Sequence, residues 1–495
     1  MGMVLNTNIG AIQAQRAITE SRQEMESAME RLSTGRRINS AADDAAGLAM
    51  VERMNSQIRG LTMATKNAND GIALIRTVEN ALVEVSGMLQ RMRELAVQSA
   101  NATNSATERA FANNELNQLQ LEISRVSANT RYNGTQVLNG TFSAKALQVG
   151  TMSGEEINFT IDSVESSLLG AYVQVGENSL GAYTAAASGS FSNTTNLTDD
   201  ADDFTIVGNG NSRTIDVSAN DSAKDVAKKI NSVAGATTVF ALARTYAHLA
   251  SSSATDTSYQ VSINGTQTAA FTISSNSVSD AVSKINAISA TTGVMASATT
   301  ENKVLLTDAD GDDIIVTNGG SGTALTLKAV ANDGVTEQTA AAISLAANGG
   351  NDTSQVVGTL RLTSSSGFTV TQTNGSSDTF FADGLQTAGL VSVGTIDIST
   401  QIGASYSIAT IDGGLERVSS MRGSLGTLQN RLDYSVSNLM KVTEYTIGAR
   451  SRIEDADFAA ETSRLAKAQV LQQAGASMLS QANASTDVIL QVLRG

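Results

Sequence analysis

A heptad pattern of apolar residues lies near the amino end of this chain. The stripe is formed by Ile75, Val78, Leu82, Val85, Leu89, Met92 and Ala96. Their spacing alternates between three and four residues, which places all of these side chains on one face of a helix. The pattern therefore predicts a long amphipathic helix that must pack against other helices.

The amino-terminal part of the chain contains three predicted helical blocks, one of which includes the heptad stripe. The first extends from about Asn6 to Leu32 and is ended by Thr34 and Gly35, a usual helix stop. The second contains the stripe, begins near Asp43 or Asp44, and is expected to be interrupted around Asn69, Asp70 and Gly71 before it ends near Ser99. A third block has apolar residues at Ala112, Leu116, Leu119, Ile123 and Val126.

The carboxyl end repeats this organisation. A long apolar stripe there includes Leu425, Leu428, Leu432 and Leu439, and a second helix is expected after Arg452 and up to Leu493. Helices of about 30 to 50 residues would be roughly 45 to 75 Å long, too long to be buried in one compact globule. Two interpretations remain open: an antiparallel bundle within one chain, or packing against helices of other chains.

The composition excludes several kinds of chemistry. The chain has no cysteine and a single histidine, His248, so disulfides, thiolate sites and multi-histidine zinc sites are excluded. The absence of proline suits long helices and paired strands. No stretch approaches the eighteen apolar residues of a membrane span, and the first twenty residues do not have the pattern of an ordinary signal peptide.

The net charge of −15 lies entirely in the middle of the chain. Residues 1–140 contain 14 basic and 14 acidic residues, residues 401–495 contain 9 and 9, and residues 141–400 contain 10 and 25 (10 − 25 = −15). This distribution predicts that the ends assemble and the middle faces water. An acidic chain without a basic stripe also argues against nucleic-acid binding.

The middle is predicted to be β-rich and duplicated. Alternating patterns predict hairpins over Phe204 to Ser218, Tyr259 to Ser274 and Lys303 to Asn318,. The pair Ile230-Asn231 recurs as Ile285-Asn286, at an offset of 55 residues (285 − 230), which indicates two copies of a unit made of a hairpin, a short helix and strands. The units cover about residues 203–257 and 258–320.

Candidate polar sites each have a structural explanation. The cluster Asp308, Asp310, Asp312 and Asp313 contains the oxygen ligands that calcium prefers, but its spacing fits a hairpin turn better. His248 has no second histidine and is expected to be structural. Glu155 and Glu156 are adjacent in a strand, so their side chains point to opposite faces.

Two further polar features also have structural explanations. Sequons at Asn264 and Asn374 indicate exposed turns. Arg91, Arg93 and Glu94 border the heptad stripe, where they form either a solvated helix face or part of a subunit interface. No catalytic constellation is found, and the chain is predicted not to be an enzyme.

Four stretches of the chain resemble bacterial flagellins. They are RLSTGRRINSAADDAAGLAM, GLTMATKNANDGIALIRTVENAL, QRMRELAVQSANATN and ARSRIEDADFAAETSRLAKAQVLQQAGASMLSQAN, which begin at Arg31, Gly60, Gln90 and Ala449. They lie within about 140 amino-terminal and 90 carboxyl-terminal residues that share the family pattern. The Ile-Asn units resemble the flagellin hook insertion motif. A proline that many relatives carry near the carboxyl end is absent.

The resemblance implies an α+β multidomain fold, with long α-helical coiled-coil termini paired N with C around a β-rich duplicated centre. It implies that residues 1–43 and 453–495 form an inner-tube coiled coil. Residues 44–175 and 403–452 would form an outer-tube helical domain with a β-hairpin near Leu147 to Ile161. Residues 176–402 would form surface-exposed variable domains.

The resemblance also implies a function and partners. The function is that of the structural subunit of the bacterial flagellar filament, a secreted, extracellular, self-assembling tubular polymer used for swimming. Implied partners are other flagellin subunits, hook-associated proteins, the filament cap, an export chaperone at the carboxyl-terminal segment, and the flagellin-sensing Toll-like receptor. Arg91, Leu95 and Glu115 match the helix face that this receptor reads. No cofactor, nucleic acid or membrane insertion is implied.

Three other functions are weighed against this one. A hook-filament junction protein also has helical ends but forms a short ring, so indefinite polymerisation separates the two. A flagellin that carries a metallopeptidase needs an H-E-x-x-H helix, which a chain with one histidine cannot have. A free surface adhesin would not explain two matched helical ends.

Overall fold

The computed structural model describes residues 7–176, 186, 198, 202–251, 253, 256–274, 276–320, 324–338, 341–347, 350–372 and 379–494, with side chains described up to residue 484. The predicted sequon at Asn374 lies outside the described residues. The described chain forms two compact units. Unit 1 comprises Met1–Ile75, Ala144–Phe159 and Gly426–Gly495, and unit 2 comprises Arg76–Ser143 and Thr160–Leu425.

Long helices occupy both ends of the chain and short ones the middle. They are α1 (Ile9–Thr34), α2 (Ala45–Ala100), α3 (Ala106–Asn129), α4 (Ala223–Thr237), α5 (Ser279–Asn286), α6 (Ser289–Thr292), α7 (Gln401–Glu454) and α8 (Phe458–Arg494). At 1.5 Å per residue, α2 and α7 are each roughly 80 Å long. The fold is α+β with long helical termini, as predicted.

The strands are short and pair only in antiparallel fashion in the part of the chain that the structure describes. They are β1 (Arg131–Tyr132), β2 (Thr135–Gln136), β3 (Lys145–Gln148), β4 (Glu156–Phe159), β5 (Gly170–Gly176), β6 (Phe204–Gly208), β7 (Asn211–Ile215), β8 (Phe240–Ser251), β9 (Thr257–Tyr259), β10 (Val261–Ile263), β11 (Thr266–Gln267), β12 (Phe271–Ile273), β13 (Val294–Ala298), β14 (Val304–Asp308), β15 (Ile314–Asn318), β16 (Leu325–Ala329), β17 (Ile343–Leu345), β18 (Thr353–Val356), β19 (Thr359–Ser364), β20 (Phe368–Gln372), β21 (Gly384–Thr387) and β22 (Gly389–Ser392).

Unit 1 contains α1, α8, the adjoining parts of α2 and α7, and the hairpin β3–β4. Helix α1 begins where the Asn8 side chain accepts the Ala11 N–H, and it ends at Gly35, whose φ of 71° is left-handed. The glycine stop predicted from the sequence is therefore confirmed, because a residue without a Cβ adopts this conformation at no steric cost.

The predicted interruption of the second helix is wrong, because α2 is continuous through residues 69–71. The Asn69 side chain donates to the Thr65 carbonyl within the helix, at 2.9 Å. A Cβ at Gly71 would lie 2.5 Å from Leu147 Cδ2 of the hairpin. Gly71 therefore allows close packing of strand β3 and does not break the helix.

Unit 2 contains the β-rich region. Its largest sheet has the strand order β13-β14-β8-β19-β5-β22, with β16 and β17 added at β8. Two four-stranded sheets have the orders β11-β10-β15-β18 and β21-β20-β6-β7. Alternating apolar residues of these sheets, together with α4 and α5, bury two separate hydrophobic clusters, one around Ile285 and one around Ile230.

The predicted hairpin over Lys303 to Asn318 is wrong. Strand β14 pairs with β8 and β13, whereas β15 pairs with β10 and β18. Asp308 is buried, and its Oδ1 accepts the backbone N–H groups of Asp310, Gly311 and Asp312 at 2.9, 3.0 and 3.3 Å. The acidic stretch is therefore a connection that takes the chain from one sheet into another.

The core-facing stripe of α3 also differs from the prediction. It consists of Ala112, Leu116, Gln120, Ile123 and Ser127, whereas Leu119 and Val126 are only half-buried. The Gln120 amide donates to the carbonyls of Val393 and Ile396, at 2.8 and 3.2 Å. The Ser127 hydroxyl donates to the Leu138 carbonyl at 2.8 Å. Polar side chains take core positions here because backbone acceptors lie opposite them.

Candidate assembly and recognition surfaces

The two ends of the chain form one antiparallel helix pair in unit 1. Near the start of α1, the Asn8 side chain donates to the carbonyl of Ala482, late in α8, at 3.0 Å. Beyond the end of α1, the Arg37 guanidinium donates to the Ile453 carbonyl at 2.7 Å. A Cβ at Gly475 would lie 2.7 Å from Ile18 Cγ1, so the glycine lets α8 approach α1 closely at this point.

Buried carboxylates pair with arginines near the junction of α7 and α8. Glu454 Oε1 lies 3.1 Å from Arg36 Nε, Glu454 Oε2 lies 3.5 Å from Arg450 Nε, and the Glu454 side chain is only 8 % exposed. Glu461 similarly lies 3.3 Å from Arg31. Loss of its arginine partners would leave a buried carboxylate unpaired, which is costly. These ion pairs therefore fix where the two ends meet.

Three large apolar side chains of α1 lie on the outside of this helix pair, namely Ile9, Ile12 and Met29, whereas Ile18, Met25 and Leu32 are half-buried. Only Ser21 and Ala28 of α1 are buried, and only Glu461 and Ala468 among the described side chains of α8. We define the terminal apolar surface as the large exposed apolar residues of these two helices: Ile9, Ile12, Met29, Phe458, Val470, Leu471 and Met478, each 43–67 % exposed. Such a surface is a mark of an interaction site.

The residues predicted as the coiled-coil seam are buried. In unit 2 these are Val78, Leu82, Val85, Leu89, Met92 and Leu425, and in unit 1 they are Ile75, Leu428, Leu432 and Leu439. Two ion pairs join α2 to α7 within unit 2. Arg93 Nε lies 2.6 Å from Asp412 Oδ1, and Arg422 Nε lies 2.8 Å from Glu79 Oε1.

The predicted recognition residues lie on α2 and α3 of unit 2. Arg91 Nε donates to Glu115 Oε1 at 2.8 Å, and Arg91 Nη1 donates to Glu94 Oε2 at 3.0 Å. The bond to Glu115 is the main cause that raises the pKa of Arg91. Both partners are about half exposed, but Leu95 is 2 % exposed. A partner that approaches this face therefore meets Arg91 and Glu115 first.

The Ile-Asn units show why asparagine follows isoleucine. Ile230 and Ile285 are fully buried. Asn231 donates to the Ala241 carbonyl at 3.0 Å and accepts the Ala241 N–H at 2.8 Å. Asn286 makes the same pair of bonds with Ala296, at 2.9 and 2.7 Å. Each asparagine thus hydrogen-bonds a strand residue as a neighbouring strand would, and this holds the helix against the sheet.

The correspondence between the two units extends beyond this dipeptide. The hydroxyl of Thr237 accepts the Val239 N–H, and the hydroxyl of Thr292 accepts the Val294 N–H, at the same offset of 55 residues (292 − 237). The sequence identified the repeated dipeptide, but its hydrogen bonds depend on a strand ten residues further along the chain (241 − 231).

A lysine pairs with two aspartates of the acidic connection whose oxygens resemble calcium ligands. Lys224 Nζ lies 2.6 Å from Asp312 Oδ2 and 3.3 Å from Asp310 Oδ2. The bond to Asp312 is the main cause that raises the pKa of Lys224, and burial raises the pKa of Asp308. Among the described residues, no group of three His, Cys, Asp or Glu side chains is placed to hold a metal ion.

His248 belongs to a network of charged side chains in the large sheet. Its Nδ1 lies 2.9 Å from Glu337 Oε1. Lys303 and Lys328 also contact this carboxylate, at 2.6 and 3.0 Å. The bond from Lys303 is the main cause that lowers the pKa of Glu337 to about 2.

Glu155 and Glu156 lie at the hairpin β3–β4 of unit 1. Glu155 accepts the Met152 N–H at 2.9 Å, and Glu156 is the first residue of β4.

Comparison with known proteins identifies the family. The bacterial flagellin N-terminal helical region matches residues 5–143, the bacterial flagellin C-terminal helical region matches residues 408–493, and the flagellin hook IN motif matches residues 203–255. The chain is 37 % identical to B-type flagellin of Pseudomonas aeruginosa over 502 aligned residues, with all of both chains covered. The chain belongs to the bacterial flagellin family. It is also 33 % identical to a flagellin of Salmonella typhimurium, again over both complete chains.

Solved structures give a much weaker likeness. A FliC structure from Burkholderia pseudomallei has a TM-score of 0.30 and 17 % identity, covering 73 % of this chain and 99 % of its own. A FlgL structure from Xanthomonas campestris has a TM-score of 0.32 and 13 % identity, covering 80 % and 98 %. At these TM-scores the likeness is no basis for inference about this flagellin.

Family membership establishes the broad class of this flagellin. Flagellin homologues form the extracellular filament of the bacterial flagellum, and the family is structural rather than enzymatic. The family implies polymerisation into filaments and association with hook-associated proteins. Within the described part of the chain, no helix is long and apolar enough to cross a membrane.

Proposed function

We propose that this flagellin assembles itself, through its paired ends, into the helical tubular filament that drives swimming. The observation that carries the proposal is the terminal apolar surface, which a single chain leaves exposed. Burial of one large apolar side chain contributes about 1.5–3 kcal/mol. Seven such residues repeated in every subunit therefore supply a large driving force for docking further copies.

The charge distribution supports assembly through the ends. Residues 1–140 and 401–495 have no net charge (23 − 23 = 0), so subunits that meet there do not repel one another strongly. The whole charge of −15 lies in residues 141–400, and solvated like charges keep that region apart from its copies. The arrangement favours contact at the ends and solubility in the middle.

We infer a layered arrangement of the polymer. Residues 1–43 with 453–495 form the inner tube, residues 44–175 with 403–452 the outer tube, and residues 176–402 the surface domains. The antiparallel pairing of α1 and α8 supports the first assignment. Cleavage of filaments by a protease supplies a test: cuts confined to residues 176–402 agree with this layering, and early cuts in α1 or α8 contradict it.

Electron microscopy of the seeded, purified chain tests the assembly proposal. Val470→Asp and Met478→Asp place a charge on the terminal apolar surface, and we expect both variants to stay monomeric. Leu385→Asp is the matched control, because Leu385 is 69 % exposed but lies in β21. Long filaments from the control and none from the two variants would support the proposal. Filaments from all three would refute it, and short rings from the unmodified chain would favour a hook-filament junction protein.

Further partners follow from the same surfaces. We infer that an export chaperone covers the exposed apolar residues of α8, such as Val470 and Met478, before assembly, and that hook-associated proteins and the filament cap contact the ends of the polymer. Val470→Asp is expected to weaken capture by the chaperone, whereas Leu385→Asp leaves it unchanged. Equal capture of both variants would contradict the chaperone assignment.

We also infer recognition by the flagellin-sensing Toll-like receptor through Arg91, Leu95 and Glu115. Arg91 and Glu115 form an exposed ion pair, so Arg91→Ala or Glu115→Ala should reduce signalling by the monomer in a cell reporter assay. Arg125→Ala is a matched control, because Arg125 forms a similar exposed pair with Glu122 on α3. Equal signalling by all of these proteins would refute the assignment.

A further inference from the structure

Three hairpins in the described part of the chain turn through the same dipeptide, Asn-Gly. The dipeptides begin at Asn133, Asn209 and Asn264. Each asparagine has φ between 47° and 51° and each following glycine has φ between 73° and 80°, as in a two-residue type I′ turn. The strands that each turn joins are in direct register, for example Gly208 with Asn211 and Ile263 with Thr266. The backbone is therefore closely similar at all three turns.

The asparagine side chains differ, although the backbones agree. Asn264 is half-buried; its Nδ2 donates to the Thr292 carbonyl at 3.2 Å and its Oδ1 accepts the Ile315 N–H at 2.8 Å. Asn209 and Asn133 are exposed. Among the described residues, the side-chain amide of neither one has a hydrogen-bond partner.

The neighbouring glycines do not account for this difference. A Cβ built at Gly134, Gly210 or Gly265 would meet no atom within 4 Å. The space beside the α-carbon of all three glycines is therefore equally open. The described difference between Asn264 and the other two positions is the hydrogen bonding of its side chain.

We propose that Asn209 and Asn133 are sites of spontaneous deamidation, and that Asn264 is protected from it. The backbone nitrogen of Gly210 attacks Cγ of Asn209, loses its proton, and forms a new C–N bond. The side-chain nitrogen leaves as ammonia, which closes a succinimide ring. Water then opens the ring at either carbonyl, leaving aspartate or isoaspartate. One water is consumed and one ammonia released, and no oxidant or enzyme is needed.

The two hydrogen bonds of Asn264 explain its protection. Cγ must rotate toward the nitrogen of the next residue, so both bonds must break before attack. With the usual net strength of such bonds, their loss makes the reaction roughly 30-fold slower at Asn264 than at Asn209. The corresponding positions of the two Ile-Asn units, offset by 55 residues (264 − 209), thus form an internal comparison within one molecule.

Deamidation would make the surface of this flagellin more negative. Each event adds a negative charge, and at Asn209 this charge joins a region that already has a net charge of −15. Isoaspartate also inserts an extra backbone carbon into a two-residue turn. The register between Gly208 and Asn211 is then disturbed at the tip of the hairpin.

Mass spectrometry of the full-length chain tests the proposal. The folded protein is kept at mildly alkaline pH in water enriched in oxygen-18, and a second sample is kept in the same buffer with denaturant. Peptides that contain Asn133, Asn209 and Asn264 are then followed for incorporation of the label and for isoaspartate. Asn209→Ala serves as a control for assignment, because an alanine side chain has no carbonyl carbon for the Gly210 nitrogen to attack.

The proposal predicts different results in the two samples. In denaturant, all three asparagines should react at similar rates, because each precedes glycine. In the folded chain, Asn133 and Asn209 should react while Asn264 lags by roughly 30-fold. Equal rates at Asn209 and Asn264 in the folded chain would overturn the proposal, as would protection of all three positions in the folded chain alone.

Discussion

Substitution of Asn286 by alanine tests the role of the Ile-Asn dipeptide. The change removes both hydrogen bonds to Ala296 and leaves a buried backbone N–H and a carbonyl without a partner. Each bond contributes about 0.5–1.5 kcal/mol net. The free energy of opening at this point should therefore fall by about 2 kcal/mol, while Ile285 stays in its cluster.

Hydrogen exchange read by mass spectrometry is the suitable assay, because a chain with several cooperative units does not unfold in two states. A loss of about 2 kcal/mol should accelerate exchange of the Ala296 amide by roughly 30-fold. The corresponding peptide around Ala241 belongs to the first Ile-Asn repeat, and its exchange should not change. Asn286→Asp keeps the acceptor for the Ala296 N–H and loses the donor, so it should give about half of the effect in free energy.

Two results would refute this reasoning. If Asn286→Ala changes the exchange of Ala296 by less than about twofold, the side chain does not hold the strand. If the Ala241 peptide accelerates equally, the substitution has loosened the whole region, and the argument from local hydrogen bonds fails.

Three further substitutions test other contacts. Glu337→Gln removes a carboxylate whose pKa is lowered to about 2. A lowered pKa stabilises the fold at any pH above the ordinary pKa of the group, and this stability is lost as the pH falls towards 2. The variant should therefore lose roughly 1–2 kcal/mol of unfolding free energy near neutral pH. Circular dichroism from pH 7 to pH 2 should then show a weaker acid transition in the variant; an unchanged transition would contradict this. Gly71→Ala places a Cβ 2.5 Å from Leu147 and should lower the melting temperature. Gly87→Ala should not, because a Cβ at Gly87 meets no atom within 4 Å. Equal melting temperatures would show that the hairpin moves aside without cost. Lys224→Met leaves Asp310 and Asp312 without their cation and should lower the free energy of unfolding by less than about 1 kcal/mol. Urea unfolding measures this loss, which should become smaller when salt is added. A loss that does not change with salt would indicate an effect on packing instead of charge.

Local periodicity accounts for what could be predicted from the sequence. The spacing from Ile75 to Met92 describes one face of a helix, and the turn at Gly35 needs only local backbone geometry. The family stretches near Arg31 and Ala449 are also contiguous. Such features could be identified because neighbours along the chain determine them.

The remaining features depend on residues that are distant in sequence. The sequence predicts a helix break at Gly71, because the residue that Gly71 packs against, Leu147, lies in another element. The connection at Asp308 looked like a hairpin turn, since burial of its carboxylate between two sheets leaves no trace in the local pattern. Likewise, the pairing of Arg93 with Asp412 spans 319 residues.

The antiparallel pairing of α1 with α8 makes the paired ends depend on both termini of one chain. A product of interrupted synthesis keeps α1 but lacks α8, so the carbonyl of Ala482 and the carboxylate of Glu461 are not there to contact Asn8 and Arg31. Such a fragment also lacks the part of the terminal apolar surface that α8 contributes. On the assembly route proposed above, we expect truncated chains to be left out of the filament.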